Sequence, residues 1–140
     1  MKTKILFVCI HNSARSQIAE ALINKFYGNK FVAESAGIEP GKLNPLVVKS
    51  LQEIGIDISR KPTRSVDEVL QSGKEFDYVI TVCEKEAAEK CPVFPGKGLK
   101  IQWSFPDPSK FTGNEEEKMH QIRQVRDVIQ RKIEENIASL

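Results

Sequence analysis

Cys9 and Arg15 stand six positions apart in Cys9-Ile10-His11-Asn12-Ser13-Ala14-Arg15-Ser16. An ionised thiol is a nucleophile, and an arginine grips two oxygens of a tetrahedral oxyanion in a planar fork. The residues between them, Ile10, His11, Asn12, Ser13 and Ala14, contribute backbone N–H groups, as Ser16 does after them. Such groups, at the start of a helix, bind anions. The same positive field favours the thiolate form of Cys9, and Ser16 is placed to hydrogen-bond it. The chemistry this permits is attack by a cysteine on an oxyanion cradled in a loop. A buried structural cysteine at a strand end is the competing reading.

Further residues could take part. Asp107 lies in Trp103-Ser104-Phe105-Pro106-Asp107-Pro108, where two prolines stiffen the backbone around one carboxyl group. A carboxyl group beside an oxyanion pocket protonates a leaving oxygen; an aspartate before proline also serves simply as a turn residue. Cys83 and Cys91 bracket Glu84–Lys90, a segment of helix-forming composition. Eight residues of helix advance about 12 Å, beyond the roughly 7 Å between Cα atoms that a disulfide spans. A bond between these two therefore requires the segment to unwind. The alternative is two unremarkable thiols, one in the core and one at the surface. His11 is read as pointing outward while its N–H serves the loop. Asn12 tolerates the backbone dihedrals of an anion nest. Glu20, one turn past Ser16, is read on its own as a solvated helix position, and His120 as surface.

These residues need elements to hold them. Lys4–Cys9 is a continuous apolar run, as in a strand covered on both faces. Ile18, Leu22 and Phe26 share one face of a first helix. Phe31–Ser35 reads as a second strand stopped by Ala36-Gly37. Asn44-Pro45 caps a helix with Val47, Val48, Leu51 and Ile54 inward and Gly55 at its end. Ser65–Glu68 resembles a capping box. Asp77–Val82 and Leu99–Trp103 are strands three and four. A last helix starts near Asn114, its first turn acidic, with Met119, Ile122, Val125, Ile129, Ile133 and Ile137 as its buried stripe. Alternating strands and helices predict a four-stranded parallel sheet flanked by helices on both faces. Ligands bind such sheets beyond the carboxyl ends of the strands, where Cys9, Cys83 and the segment after Trp103 all fall.

Composition sets bounds. The chain has 140 residues, 40% of them hydrophobic and 29% charged, with a net charge of +2. That is ordinary for one soluble domain spanning 1–140. No basic block interleaved with aromatics points to nucleic acid, and no apolar run is long enough for a signal peptide or membrane span. The three cysteines form no Cys-x-x-Cys pair. A disulfide framework or zinc site is not expected, and a cytoplasmic protein with reactive thiols is. A monomer is expected.

Together these residues resemble the low-molecular-weight protein tyrosine phosphatase superfamily, and within it the thioredoxin-coupled arsenate reductase branch. Val8-Cys9 through Arg15-Ser16 resembles the family's anion loop, and Glu34-Ser35-Ala36-Gly37 the end of its second strand. Cys83…Cys91-Pro92-Val93-Phe94-Pro95-Gly96 resembles the reductase redox segment, and Trp103–Pro108 the general-acid loop. Phosphatases of the family commonly carry a cysteine where Ala14 stands. They also commonly place tyrosines where Ser109-Lys110-Phe111 follow Asp107-Pro108.

The resemblance implies a phosphotyrosine-phosphatase I-like fold and reduction of arsenate to arsenite. Cys9 would be the nucleophile, Arg15 the oxyanion ligand and Asp107 the acid. Electrons would pass through a Cys9/Cys83/Cys91 disulfide relay to thioredoxin, with glutathione or glutaredoxin as the alternative reductant. No organic cofactor is needed. Some relatives bind a potassium ion, which would fall near Asn12, Glu20 and Ser35, with Ser65 and Asp67 near the place of a further ligand. A phosphatase working through a phosphocysteine and a non-enzymatic oxyanion or redox sensor are the rival functions.

Overall fold

The apolar run after Thr3 becomes the centre of a sheet. In the computed structural model, which describes residues 2–96 and 98–140, β1 spans Thr3–Cys9. It lies between β2 (Phe31–Gly37) and β3 (Tyr78–Thr81), with β4 (Leu99–Gln102) outermost. All pairings are parallel, as predicted. Cys9 pairs with Gly37, Val8 with Thr81, and Thr81 with Gln102. The carboxyl ends of the strands therefore converge on one edge.

Ile5, Leu6, Phe7 and Val8 are fully buried because both faces of β1 are covered. Ile5, Phe7 and Cys9 pack with Ile18 and Leu22 of α1 (Arg15–Phe26), Val47 and Leu51 of α2 (Pro45–Gln52), and Ile122, Val125, Ile129 and Ile133 of α5 (Glu115–Asn136). Leu6 and Val8 point the other way, toward Val66 and Val69 of α3 (Val66–Gln71) and Phe76. Truncating a residue such as Ile129 to alanine would cost about 2–5 kcal/mol. Between β3 and β4 lies a single turn, α4 (Lys85–Ala88).

The helix starts follow local chemistry. Asn44 accepts from Leu46 N at 2.9 Å with Pro45 in the first turn. Asn114 and Glu117 form a reciprocal capping box. Ser65 accepts from Glu68 N at 3.0 Å.

Four expectations shift. β2 runs on through Ala36 and Gly37 rather than stopping at Ser35. Gly37 does not break the strand: a Cβ there would come within 2.8 Å of Ile10 O, His11 C and Asn12 N. Glycine is what lets the Cys9 loop lie against β2. Phe26 is 48% exposed, and Tyr27 packs against the core in its place, beside the start of β2, where Phe31 N donates to Tyr27 O at 3.0 Å. α2 ends at Gln52, leaving Val48 and Ile54 half-buried, and Gly55 takes φ +81° in the turn beyond. β3 and β4 are each shorter than the expected Asp77–Val82 and Leu99–Trp103.

Candidate oxyanion site at the sheet edge

Four carbonyls of the loop from Cys9 to Ser13 are bonded to the 38–44 segment. Cys9 O accepts from Ile38 N (3.0 Å), Ile10 O from Glu39 N (2.7 Å), His11 O from Gly41 N (2.9 Å) and Ser13 O from Asn44 N (2.9 Å). With the oxygens spent on 38–44, the N–H groups are left for the interior. Ala14 supplies no side-chain cap to α1. The first-turn amides of that helix therefore remain available to an anion, as helix starts do.

Cys9 is 2% exposed. Its Sγ lies 2.9 Å from Ser16 Oγ and accepts from Asn12 N at 3.0 Å. Asn12 Nδ2 donates to Ser16 Oγ at 2.8 Å, which leaves the Ser16 hydroxyl hydrogen free to point at sulfur. Asn12 is the one non-glycine among the described residues with positive φ, +55°. Its side chain holds that conformation: Oδ1 accepts from Arg64 N at 3.0 Å and from Gln17 Nε2 at 3.3 Å.

Arg15 is 3% exposed. Its Nη1 donates to Phe105 O and to Glu84 Oε1, both at 3.2 Å. Nη2 stands 3.7 Å from Asp107 Oδ2. The turn reading of Asp107 holds on one oxygen, and the other oxygen faces Arg15. Oδ1 accepts from Ser109 N (2.9 Å) and Ser109 Oγ (2.8 Å) to start the 3₁₀ turn Pro108–Lys110, while Oδ2 faces the arginine. Burial raises the Asp107 pKa, but the Ser109 hydrogen bonds and the charges of Arg15 and Lys110 outweigh it and leave the carboxyl below its ordinary value.

All three cysteines are free and buried, so neither Cys83 nor Cys91 is the surface thiol that one reading allowed. Cys83 packs in the same core cluster as Cys9, and Cys91 in the cluster on the other face of the sheet. Burial pushes the Cys83 thiol up to about 11, against the lowering charge of Arg15. Burial raises Cys91 as well, with Lys100 pulling the other way. Gln102 Nε2 holds Cys83 O at 2.6 Å.

His11 is exposed, its Nδ1 bonded to Glu39 O at 2.9 Å, as the outward reading has it. Glu20 is not a solvated position: it is 3% exposed. Its Oε1 accepts from Ser35 Oγ at 3.2 Å, and Asn12 Nδ2 donates to Ser35 Oγ at 2.9 Å. Asn12, Glu20 and Ser35 do cluster, but not as ligands of a potassium ion. The Lys61 ammonium pairs with Glu20 Oε2, the Asn12 oxygen is spent on Arg64 and Gln17, and Arg64 Nη2 donates to Ser35 O at 3.2 Å. Ser65 caps α3, and Asp67 sits in that helix's first turn. Two cationic side chains stand where a metal ion would need oxygens, and the set does not fit one.

Sequence reasoning missed Glu84, the Phe105 carbonyl, Lys61, Arg64 and Gln17. Only Glu84 carried a signal, its position beside Cys83.

The model of the low molecular weight phosphotyrosine protein phosphatase family matches residues 4–140, and the chain belongs to that family. An arsenate reductase of Halalkalibacterium halodurans is 42% identical over 132 residues, 94% of this chain and 93% of the relative. A solved arsenate reductase in its oxidized state superposes with a TM-score of 0.79 at 26% identity, covering 99% of this chain and 98% of the other. A thioredoxin-dependent arsenate reductase of Corynebacterium glutamicum gives a TM-score of 0.62 at 30% identity, covering 95% of this chain and 62% of the other.

Proposed function

We propose that this chain is a cytoplasmic arsenate reductase with a three-cysteine relay recycled by thioredoxin. The observation that carries the reading is the placement of Cys83. A second thiol lies buried in the same cluster as Cys9, at the edge where Arg15 and Asp107 meet. A phosphatase has no work for it, although Cys9, Arg15 and Asp107 alone would also suit a phosphocysteine.

Arsenate enters the Cys9 loop, and Arg15 turns its Nη2 from Asp107 to the oxyanion. The Cys9 thiolate attacks arsenic, an S–As bond forms, and an arsenic oxygen leaves as water. Asp107 is ionised in the empty site, so the proton it delivers arrives with the substrate as dihydrogen arsenate. The Cys83 thiolate then attacks Cys9 Sγ. The S–As bond breaks, its electron pair stays on arsenic, and arsenite leaves after protonation. Cys91 attacks Cys83 Sγ and frees the Cys9 thiolate, leaving Cys83–Cys91 for a reductant. The relatives named as arsenate reductases and the thioredoxin-dependent neighbour support the substrate and the reductant.

The test is arsenate with a thioredoxin system, read as reductant consumed per arsenite formed. One reductant equivalent per arsenite supports the reading. Efficient aryl phosphate hydrolysis without arsenate-dependent electron consumption overturns it in favour of the phosphatase.

A further inference from the structure

A carboxylate as buried as Glu20 needs a counter-charge, because taking an unpaired ion out of water costs more than a protein ordinarily bears. Lys61 is the only cationic side chain paired with it among the described residues. The neighbouring Glu34 has its own partners, Arg64 at 3.1 Å and Lys74 at 3.0 Å. Lys61 is also held in place: its N donates to Ile58 O at 2.9 Å, and the next residue, Pro62, accepts from buried Gln17 through its carbonyl at 3.2 Å.

From Glu20 the bonds run in one direction to sulfur. Ser35 Oγ donates to Glu20, so it accepts from Asn12 Nδ2. Asn12, at positive φ and held by this bond together with those from Arg64 and Gln17, donates its own N–H to Cys9 Sγ. Lys61 is thus connected to the oxyanion loop through Glu20, Ser35 and Asn12 without touching the oxyanion.

We propose that Lys61 is a built-in cation: its ammonium, on Glu20, positions the Cys9 loop through Ser35 and Asn12, so that the loop forms without a bound metal ion. Lys61 is a positioning residue. The proposal needs only a loop that binds oxyanions, not the arsenate relay.

Inorganic phosphate is the probe, titrated calorimetrically at fixed ionic strength in potassium, sodium or tetramethylammonium chloride. The wild type should bind phosphate equally in all three. Lys61→Met should bind about tenfold more weakly in tetramethylammonium, a fraction of the cost of stranding a buried charge reaching the loop. Potassium or sodium should restore most of the loss by entering beside Glu20. Lys61→Arg should behave as wild type, and Glu20→Gln/Lys61→Met should show no response to the cation. Cys9 alkylation by iodoacetamide, mapped by mass spectrometry, should follow the same pattern. A Lys61→Met chain that binds phosphate normally in tetramethylammonium overturns the proposal. So does one that is weak and deaf to small cations. If Lys61→Met fails to fold in tetramethylammonium, folding regained on adding potassium supports the proposal, and no recovery overturns it. A wild type that binds no phosphate sinks the oxyanion site itself, and the alkylation rates then still decide the role of Lys61.

Discussion

Arg15 Nη1 and Glu84 Oε1 form an ion pair at 3.2 Å, and Glu84 is the residue after Cys83. The guanidinium that would hold the oxyanion is thus tied to the start of the segment that any Cys83–Cys91 bond must rearrange. Phe105 O takes the same Nη1 corner, so the Nε and Nη2 edge is what remains for two oxygens of a ligand. The Glu84 side chain is 39% exposed, and it can leave Arg15 for water at little cost.

Glu84→Gln keeps an acceptor for Nη1 and removes a negative charge near the incoming anion. Phosphate should bind about two- to fourfold more tightly, the scale of a screened, partly exposed charge. Calorimetry at low and high salt checks it. A gain that does not shrink with salt would contradict the electrostatic account.

Asp107→Asn keeps both turn bonds available through its remaining oxygen and loses the transferable proton. Phosphate affinity should survive, while the first chemical step slows by about 10²-fold or more. Quenched single turnovers with arsenate measure that step. An unchanged rate would mean that water or another group protonates the leaving oxygen.

Much of this was readable in advance, and the unread part has one physical character. Strand one, the caps at Asn44 and Asn114, and the loop from Cys9 to Ser16 are local patterns, and each appears where its spacing places it. What escaped are contacts made by folding alone. Arg15 meets a carbonyl 90 residues away at Phe105 and a carboxylate 69 away at Glu84. Glu20 has the spacing of an exposed helix residue; the resemblance set it near Asn12 and Ser35, and only the fold brings Lys61 onto it. Gly37 carries the ordinary look of a strand stop, because its role depends on the backbone that crosses it. Phe26 and Tyr27 exchange places because apolar periodicity cannot say which residue of a last turn meets the core.

Cys83 supplies the pH test. Burial holds its thiol near 11, so at neutral pH nearly all of it is protonated, and only the thiolate attacks. As pH rises toward that value the thiolate fraction grows. The Cys9–Cys83 step should therefore accelerate by about tenfold per pH unit between about pH 7 and 9. Rapid quench with alkylation, followed by mass spectrometry, reads the rate. A flat profile would mean that forming the arsenic adduct delivers Cys83 already ionised.

Cys91 separates the relay from every rival, because no other reading gives it work. In the reduced protein it is 6% exposed and packs with Leu6, Val8, Val79 and Phe76, on the face of the sheet away from Cys83. Bonding the two sulfurs must pull residues 84–90 out of α4 and its flanking turns, since neither thiol faces the other. That movement would break the Arg15–Glu84 pair and carry the disulfide from the floor of the pocket to where a protein dithiol can approach a sulfur. Cys91→Ser should complete about one arsenate reduction per chain and stop as Cys9–Cys83, because the reductant cannot reach that bond. Wild type without reductant should instead accumulate Cys83–Cys91, with faster proteolysis between those residues. Peptide mapping tells the two disulfides apart. Turnover of Cys91→Ser with thioredoxin at the wild-type rate would remove Cys91 from the pathway and make a small thiol such as glutathione the direct reductant.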